Sequence, residues 1–432
     1  MSKPEFEIAV IGAGPYGLSI AAHMADANIS TRVFGDTMSF WRNMPKGMKL
    51  RSSLSSTNLA DPKGDLSFEA FAARQPVVPT LPIPLETFIN YGEWFKENAV
   101  PDVDNRRIKR IESIGRGFDL RLSDGDRMSV QRVIVAVGLA KQEFRPAAFS
   151  DLPPEYVSHA GEYVDMSVLR GKHVAVIGRG QAACEHAALL SSSGADVELV
   201  SRGDVHWLGS EMPSEEPEDL IWRLHRLLAT KSGVGPFPLN WLAEFPETIR
   251  WMPRGVREAF NARCLRPGAT SWLKPGLANV KMRMAGNITA ARVHQSKIYL
   301  QFEDGSAAYD HVLLATGYQS DISKLDLLAP ELLQKVRCVD GSPELSAGFQ
   351  SSVPGLHFVG SSSVMSYGPL MRFVAGSGYT ARELTRYAIL HRTAGRKHHK
   401  PKEDLRYTHI ERPGNAAKSQ ASRRRIVDDA RA

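Results

Sequence analysis

The chain has 432 residues, 43% of them apolar and 23% charged, with a formal net charge of +7. That length and apolar content suit two or three soluble domains with cores of their own, and no apolar run approaches the roughly 20 residues of a membrane span. The three cysteines, Cys184, Cys264 and Cys338, lie far apart, which leaves no C-x-x-C redox pair and no zinc framework.

The N-terminal segment enters an apolar run at residues 6–11. That leaves no room for a secretory leader, so a cytoplasmic location is expected. The stretch FEIAVIGAGPYGLSIAAHMADANISTRVFGD reads as strand, turn, helix and strand. An unbroken apolar run fits a parallel strand covered on both faces. Gly12, Gly14 and Gly17 form G-x-G-x-x-G around Pro15 and Tyr16. The first glycine permits a tight turn, the second lets a pyrophosphate approach the backbone, and the third lets helix and strand pack closely. The helix N-terminus then faces the phosphates. An acid usually stands about 20 residues on, at the end of the second strand, to bind the ribose. Here Gly35 ends that strand and Asp36 follows. Asp36 or backbone groups could serve.

Next comes FWRNMPKGMKLRSSLSSTNLADP, with Trp41, Arg51, Thr57, Asn58 and Asp61. The run LRLSDGDRMSVQRVIVAVG, residues 120–138, predicts a hairpin with an Asp-Gly turn, closed by an apolar strand. A second loop follows in HVAVIGRGQAACEHAALL. Gly178 and Gly180 hold the first two glycine positions, Gln181 opens the helix, and Ala183 replaces the third glycine. The strand after it ends in VSRG, with Ser201 and Arg202 where an acid would bind the ribose of NADH. A guanidinium and a hydroxyl suit a 2′-phosphate, so this site favours NADPH. Residues 205–275 then carry Trp207, Trp222, Trp241, Trp251 and Trp272 among several prolines. This is an insert that either lines a pocket or has a small core of its own. Residues 298–318 repeat the hairpin plan and close on Ala315, Thr316, Gly317 and Tyr318. Arg372 sits in the apolar stretch LMRFV. The basic tail from residue 396 has few large apolar residues and reads as solvated, with neither nucleic acid nor membrane as partner.

Two glycine loops, each followed by a hairpin, with ATGY closing the second unit, resemble the two-dinucleotide-binding-domain flavoproteins. Within them the chain resembles the class B flavin monooxygenases, which include flavin-containing, N-hydroxylating and Baeyer–Villiger enzymes. Trp41 and the Thr57–Asn58…Asp61 segment resemble that group's region near the flavin. His159 and Tyr163 in SHAGEY resemble the end of its fingerprint, whose upstream F-x-G is absent here. The usual G-D of the third FAD segment is also absent, since Ser361 follows Gly360.

The resemblance implies an α/β fold of two Rossmann-like domains of the glutathione reductase type with β-hairpin insertions. Residues 1–165 and 316–395 would form the FAD domain, residues 166–315 the NADP domain with the insert, and 396–432 a flexible tail. It further implies FAD on the first loop, NADPH on the second, and capture of O2 as a C4a-(hydro)peroxide that hydroxylates a small substrate. An aromatic, heterocyclic or amine substrate fits, and a homo-oligomer is compatible. Asn58 is the expected donor near the reacting oxygen, and Arg51 and Arg372 are candidate anchors for NADP+ or an anionic substrate, or else members of structural ion pairs. No metal is called for. The alternative is a flavin reductase without oxygenation. A disulfide reductase shares this architecture but needs a dithiol, for which the cysteine spacing gives no basis.

Overall fold

The computed structural model describes residues 6–75, 80–139, 141–208 and 230–392. The tail expected from residue 396, and Trp222, lie outside these residues. The first sheet is built around Phe6–Ile11, which pairs in parallel with Thr31–Phe34 on one side and with Arg127–Val135 on the other. Arg127–Val135 is long enough to serve two partners. Its end carries Leu356–Phe358 in parallel, while its start pairs antiparallel with Phe118–Leu122 across the Asp-Gly turn. Ile108–Ser113 completes that meander. The chain therefore returns to the first sheet after visiting the second. The helices Pro15–Asp26 and Gly376–Leu390 pack together beside it.

The second sheet is wholly parallel, in the order Lys281–Met284, Asp196–Ser201, His173–Ile177, His311–Leu314 and Val157–His159. Successive side chains of a strand point to opposite faces, and both faces here are covered. Val174 and Val176 enter one core with Cys184, Ala187 and Leu190 of the following helix. Ala175 and Ile177 enter the other, against Ile298, Leu300 and Phe302 of an antiparallel meander. This is why the strand reads as continuously apolar.

The second hairpin differs from the first in one respect. Its return strand Gly305–Tyr309 stops at Asp310, and His311–Leu314 starts afresh in the parallel sheet. Asp310 makes the break by accepting from the His173 N–H through its carboxylate and donating its own N–H to the His173 carbonyl, both at 2.8 Å.

Two expectations about domain limits need correction. The second sheet begins before residue 166, because Val157–His159 pairs with His311–Leu314; three residues are too few to show a period. The described helices of the insert do not decorate the second domain. Ala243, Ile249 and Phe260, from the helices Leu239–Ala243, Pro246–Arg250 and Arg254–Cys264, are buried in the core of the first. Helices this short cannot bury themselves and need a neighbour. Trp207 and Trp272 pack on the second core, while Trp241 is 45% and Trp251 74% exposed. The four described tryptophans of the stretch therefore form no single aromatic wall.

Candidate functional site

Each glycine loop has the geometry that its spacing calls for. Gly12 has φ +116°, and a Cβ there would lie 2.4 Å from the Ala136 carbonyl oxygen. A Cβ on Gly17 would stand 1.8 Å from the Gly12 oxygen, whereas one on Gly14 would meet nothing within 4 Å. The loop is closed on the protein side and open where a pyrophosphate would rest. Gly14 caps the helix Pro15–Asp26 with no side-chain bond to it. Its first turn is left to an outside acceptor, and Pro15 has no N–H to satisfy.

The second loop repeats the first. Gly178 has φ +151°, and a Cβ there would lie 2.6 Å from the Ala315 oxygen and 2.9 Å from the Ala183 Cβ. Thus the backbone carbonyls of Ala136 and Ala315, at equivalent strand ends, abut the two turns in the same way. Gly180 caps Gln181–Ser192, again with no side-chain bond. The Gln181 side chain is turned elsewhere: its Oε1 accepts from the N–H and hydroxyl of Thr270 at 3.0 and 2.9 Å.

At the end of Asp196–Ser201, the Ser201 hydroxyl is buried and donates to the Gly203 carbonyl at 2.7 Å. Its proton is directed to a main-chain acceptor within its own turn. Arg202 is exposed. A second cation stands beside it, because the Arg179 guanidinium would lie 3.5 Å from a Cβ on Gly203. Sequence reasoning missed Arg179, although its signal was present as the middle residue of G-R-G.

Around the first loop, Asp36 is paired with Arg107 at 2.7 Å. Trp41 packs edge-on against Phe88 with centroids 4.7 Å apart. The Asn58 Oδ1 accepts from the Phe68 N–H at 2.7 Å, and Asp61 accepts from the N–H groups of Lys63, Asp65 and Leu66. The carboxylate therefore shapes its own loop, and Asn58 keeps its amide NH2 for other partners. The buried Ser19 hydroxyl, on the first loop's helix, accepts from the Ala60 N–H at 3.0 Å and ties this segment to the loop. Arg51 is exposed. Ser361 donates to the Gly138 carbonyl at 2.9 Å.

The ATGY turn lies where the two halves meet. Thr316 donates to the Phe144 carbonyl. Gly317, at φ +81°, offers its carbonyl to the Phe144 N–H and to His159 Nε2, both at 3.0 Å. His159 Nδ1 accepts from the Gly161 N–H at 3.2 Å, so Nε2 carries the proton of a neutral ring. Burial lowers its pKa further. His159 is thus a clamp on the turn. The Tyr318 ring stands edge-on to His159 at 5.1 Å and to Phe40 at 6.0 Å. From the first loop, the Tyr16 hydroxyl lies 2.9 Å from the carbonyl oxygens of both Met371 and Phe373, and so brackets Arg372.

Glu185 marks a further junction. It is buried on the helix Gln181–Ser192, and its Oε1 accepts from the Lys49 N–H of the first half at 2.6 Å. Burial raises its carboxyl from 4.5 to about 7, opposed by the hydrogen bond from the Lys49 N–H and by the Lys49 charge. Between those two values the folded chain holds a proton that the unfolded chain has lost. The stability this group contributes is therefore full below pH 4.5, falls as pH rises through 7, and levels off above it. Glu185→Gln should match the wild type at pH 4 and exceed it at pH 8 by about 3 kcal/mol. Urea unfolding at the two pH values checks this; an equal difference at both would show that Glu185 does not titrate in this range.

The comparisons with known proteins agree with this geometry. Residues 9–216 match the model of a family described as pyridine nucleotide-disulphide oxidoreductase. The chain is 26% identical, over 356 aligned residues, to an indole-3-pyruvate monooxygenase of rice (Oryza sativa subsp. japonica), an alignment covering 76% of this chain and 81% of that protein. Ornithine hydroxylase from Pseudomonas aeruginosa superposes with a TM-score of 0.69 at 16% identity, covering 89% of this chain and 99% of that one. Bacillithiol disulfide reductase from Staphylococcus aureus superposes at 0.59 with 17% identity, covering 89% and 98%. The resemblance to class B flavin monooxygenases read from the sequence is borne out.

Proposed function

We propose that this chain, which has the two-dinucleotide-binding-domain flavoprotein fold of the class B monooxygenases, is an NADPH-dependent FAD monooxygenase. One oxygen atom of O2 goes to a small organic substrate and the other to water, while NADPH gives up two electrons. The observation that carries this reading is the doubled loop. Gly12 against Ala136 and Gly178 against Ala315 build the same cradle twice, and Tyr16 of the first half and Tyr318 of the second both lie beside Arg372.

The residues fit FAD at the first loop, where Gly14 leaves space and the helix Pro15–Asp26 has no side-chain cap. When bound there, FAD would supply electron storage and the oxygen chemistry. The chain supplies the rest. Gly14 and the helix end hold a diphosphate, Arg202 and Arg179 face a 2′-phosphate, and the Asn58 amide is a donor beside the first loop. The His159 clamp on Gly317 fixes the turn between the halves.

Rapid mixing of the NADPH-reduced protein with O2 tests the proposal. A transient absorbing species should precede oxidised flavin and persist longer with NADP+ bound. Return of oxidised flavin in a single phase, with all reducing equivalents appearing as hydrogen peroxide, would make this a reductase that does not oxygenate. The disulfide reductase reading has its own check. Cys184 is buried, Cys264 half-buried and Cys338 exposed, and burial raises the pKa of all three, so none is an activated thiolate. A Cys184→Ala, Cys264→Ser, Cys338→Ser protein should oxidise NADPH at the wild-type rate per bound flavin. Loss of that activity with flavin retained would restore the thiol reading.

A further inference from the structure

Among the described residues, no acid pairs with Arg372, a half-buried cation beside the first loop. Several half-buried arginines have an acid: Arg132 pairs with Glu7 at 3.4 Å, Arg250 with Glu247 at 2.5 Å and Arg283 with Glu198 at 2.8 Å. Among the described residues, Arg372 has no carboxylate or carbonyl at hydrogen-bonding distance. Burial lowers its pKa, and the only group opposing this is the Tyr318 hydroxyl. That hydroxyl is itself pushed up to about 12 by its own burial, so it is neutral at working pH and cannot balance the charge. A desolvated guanidinium of this kind is costly unless an anion joins it.

The backbone that carries Arg372 is fixed on both sides. Tyr16 holds Met371 and Phe373 from the first loop. From the insert, Asn261 donates to the Val364 carbonyl at 3.2 Å, and Ile249 would lie 2.5 Å from a Cβ on Gly368. The guanidinium is therefore presented by a braced turn, next to Tyr318 of the second half. A planar fork of N–H donors matches a carboxylate. A dianion such as a phosphate ester would need a second cation, and the other charge acting on Tyr318 is the acid Glu143.

From the unmatched Arg372 guanidinium, braced by Tyr16 beside Tyr318 where the two halves meet, we infer that the substrate is a monoanionic organic acid whose carboxylate is gripped by Arg372. The aromatic rings of Tyr318 and Phe40 favour an acid with an aromatic or apolar body. This rests on the monooxygenase reading for the word substrate, but the grip itself does not require oxygenation.

The test uses the oxidised FAD-loaded protein without NADPH or turnover. Acetate and phenylacetate are each titrated against their neutral amides, followed by flavin absorbance changes and by calorimetry. The wild type should bind at least one acid tenfold or more tighter than its amide. Arg372→Gln should lose that preference and Arg372→Lys keep part of it, both with full flavin content and unchanged KM for NADPH. Three results would overturn the inference: no acid preference in the wild type, a preference that survives in Arg372→Gln, or an Arg372→Gln protein whose defect is in flavin content or KM for NADPH. A reductase that never oxygenates could still pass this titration, so the two readings fail separately.

Discussion

Gly14→Val should purify as a folded, colourless protein, and Gly17→Ala should hardly fold at all. The two positions are three residues apart in one loop, yet the structure separates them completely. Gly14 has φ −89° and ψ −171°, an extended conformation open to any residue. Its Cβ would meet nothing in the protein within 4 Å. Valine therefore costs the fold little, and what it occupies is the space left for the diphosphate of FAD. At Gly17 the Cβ would lie 1.8 Å from the Gly12 carbonyl oxygen, a backbone atom in a turn that cannot move aside. The helix must lift off the strand, at a cost of about 3 kcal/mol or more. Flavin absorbance per protein and the urea midpoint read the two effects apart. A yellow, fully loaded Gly14→Val would show that the first loop does not hold the dinucleotide. A Gly17→Ala protein of wild-type stability would show that helix and strand are not in forced contact.

The features legible in the sequence are those where backbone geometry leaves little choice. A glycine at φ +116° whose Cβ would lie 2.4 Å from a carbonyl oxygen admits no other residue, so the loop is written in its residue types. The Asp-Gly turns and the alternating runs around them are legible for the same reason, because residues 118–135 and 297–309 pair locally. What could not be read depends on distant partners. Nothing near Val157–His159 announces its pairing with His311–Leu314. Nor does the sequence announce that the Gly203 carbonyl turns back to accept from the Ser201 hydroxyl. The tryptophan-rich stretch suggested a pocket wall or a core of its own. Its described helices instead bury Ile249 and Phe260 in the first domain's core. Arg372 was visible as a cation in an apolar stretch, where a structural ion pair was equally plausible. Only the three-dimensional structure shows that no described acid reaches it.

NADPH should be preferred over NADH by at least about tenfold in kcat/KM, the ratio expected when a charge-assisted contact of about 1.5 to 3 kcal/mol is made with one coenzyme only. The strand Asp196–Ser201 ends beside the second loop, where the adenosine ribose of a nicotinamide dinucleotide would lie. The next residues are Arg202 and Gly203, so the two positions that follow the strand offer NADH no carboxylate for its ribose hydroxyls, and Asp204 comes only after them. Arg202 is exposed, and the Arg179 guanidinium lies against Gly203. Two cations would then face one 2′-phosphate. A single substitution leaves the other in place. Arg202→Ala should therefore raise the KM for NADPH severalfold and leave NADH nearly unchanged, and Arg179→Ala should do the same. The pair together should abolish the preference, with a combined loss that differs from the sum of the two because both grip one group. Flavin content should stay at the wild-type level throughout, since the first loop is untouched. Equal use of the two coenzymes by the wild type would refute the reading of this strand end. An equal loss with NADH and NADPH in Arg202→Ala would refute it too, because that pattern belongs to damage of the whole second domain and not to a lost phosphate contact.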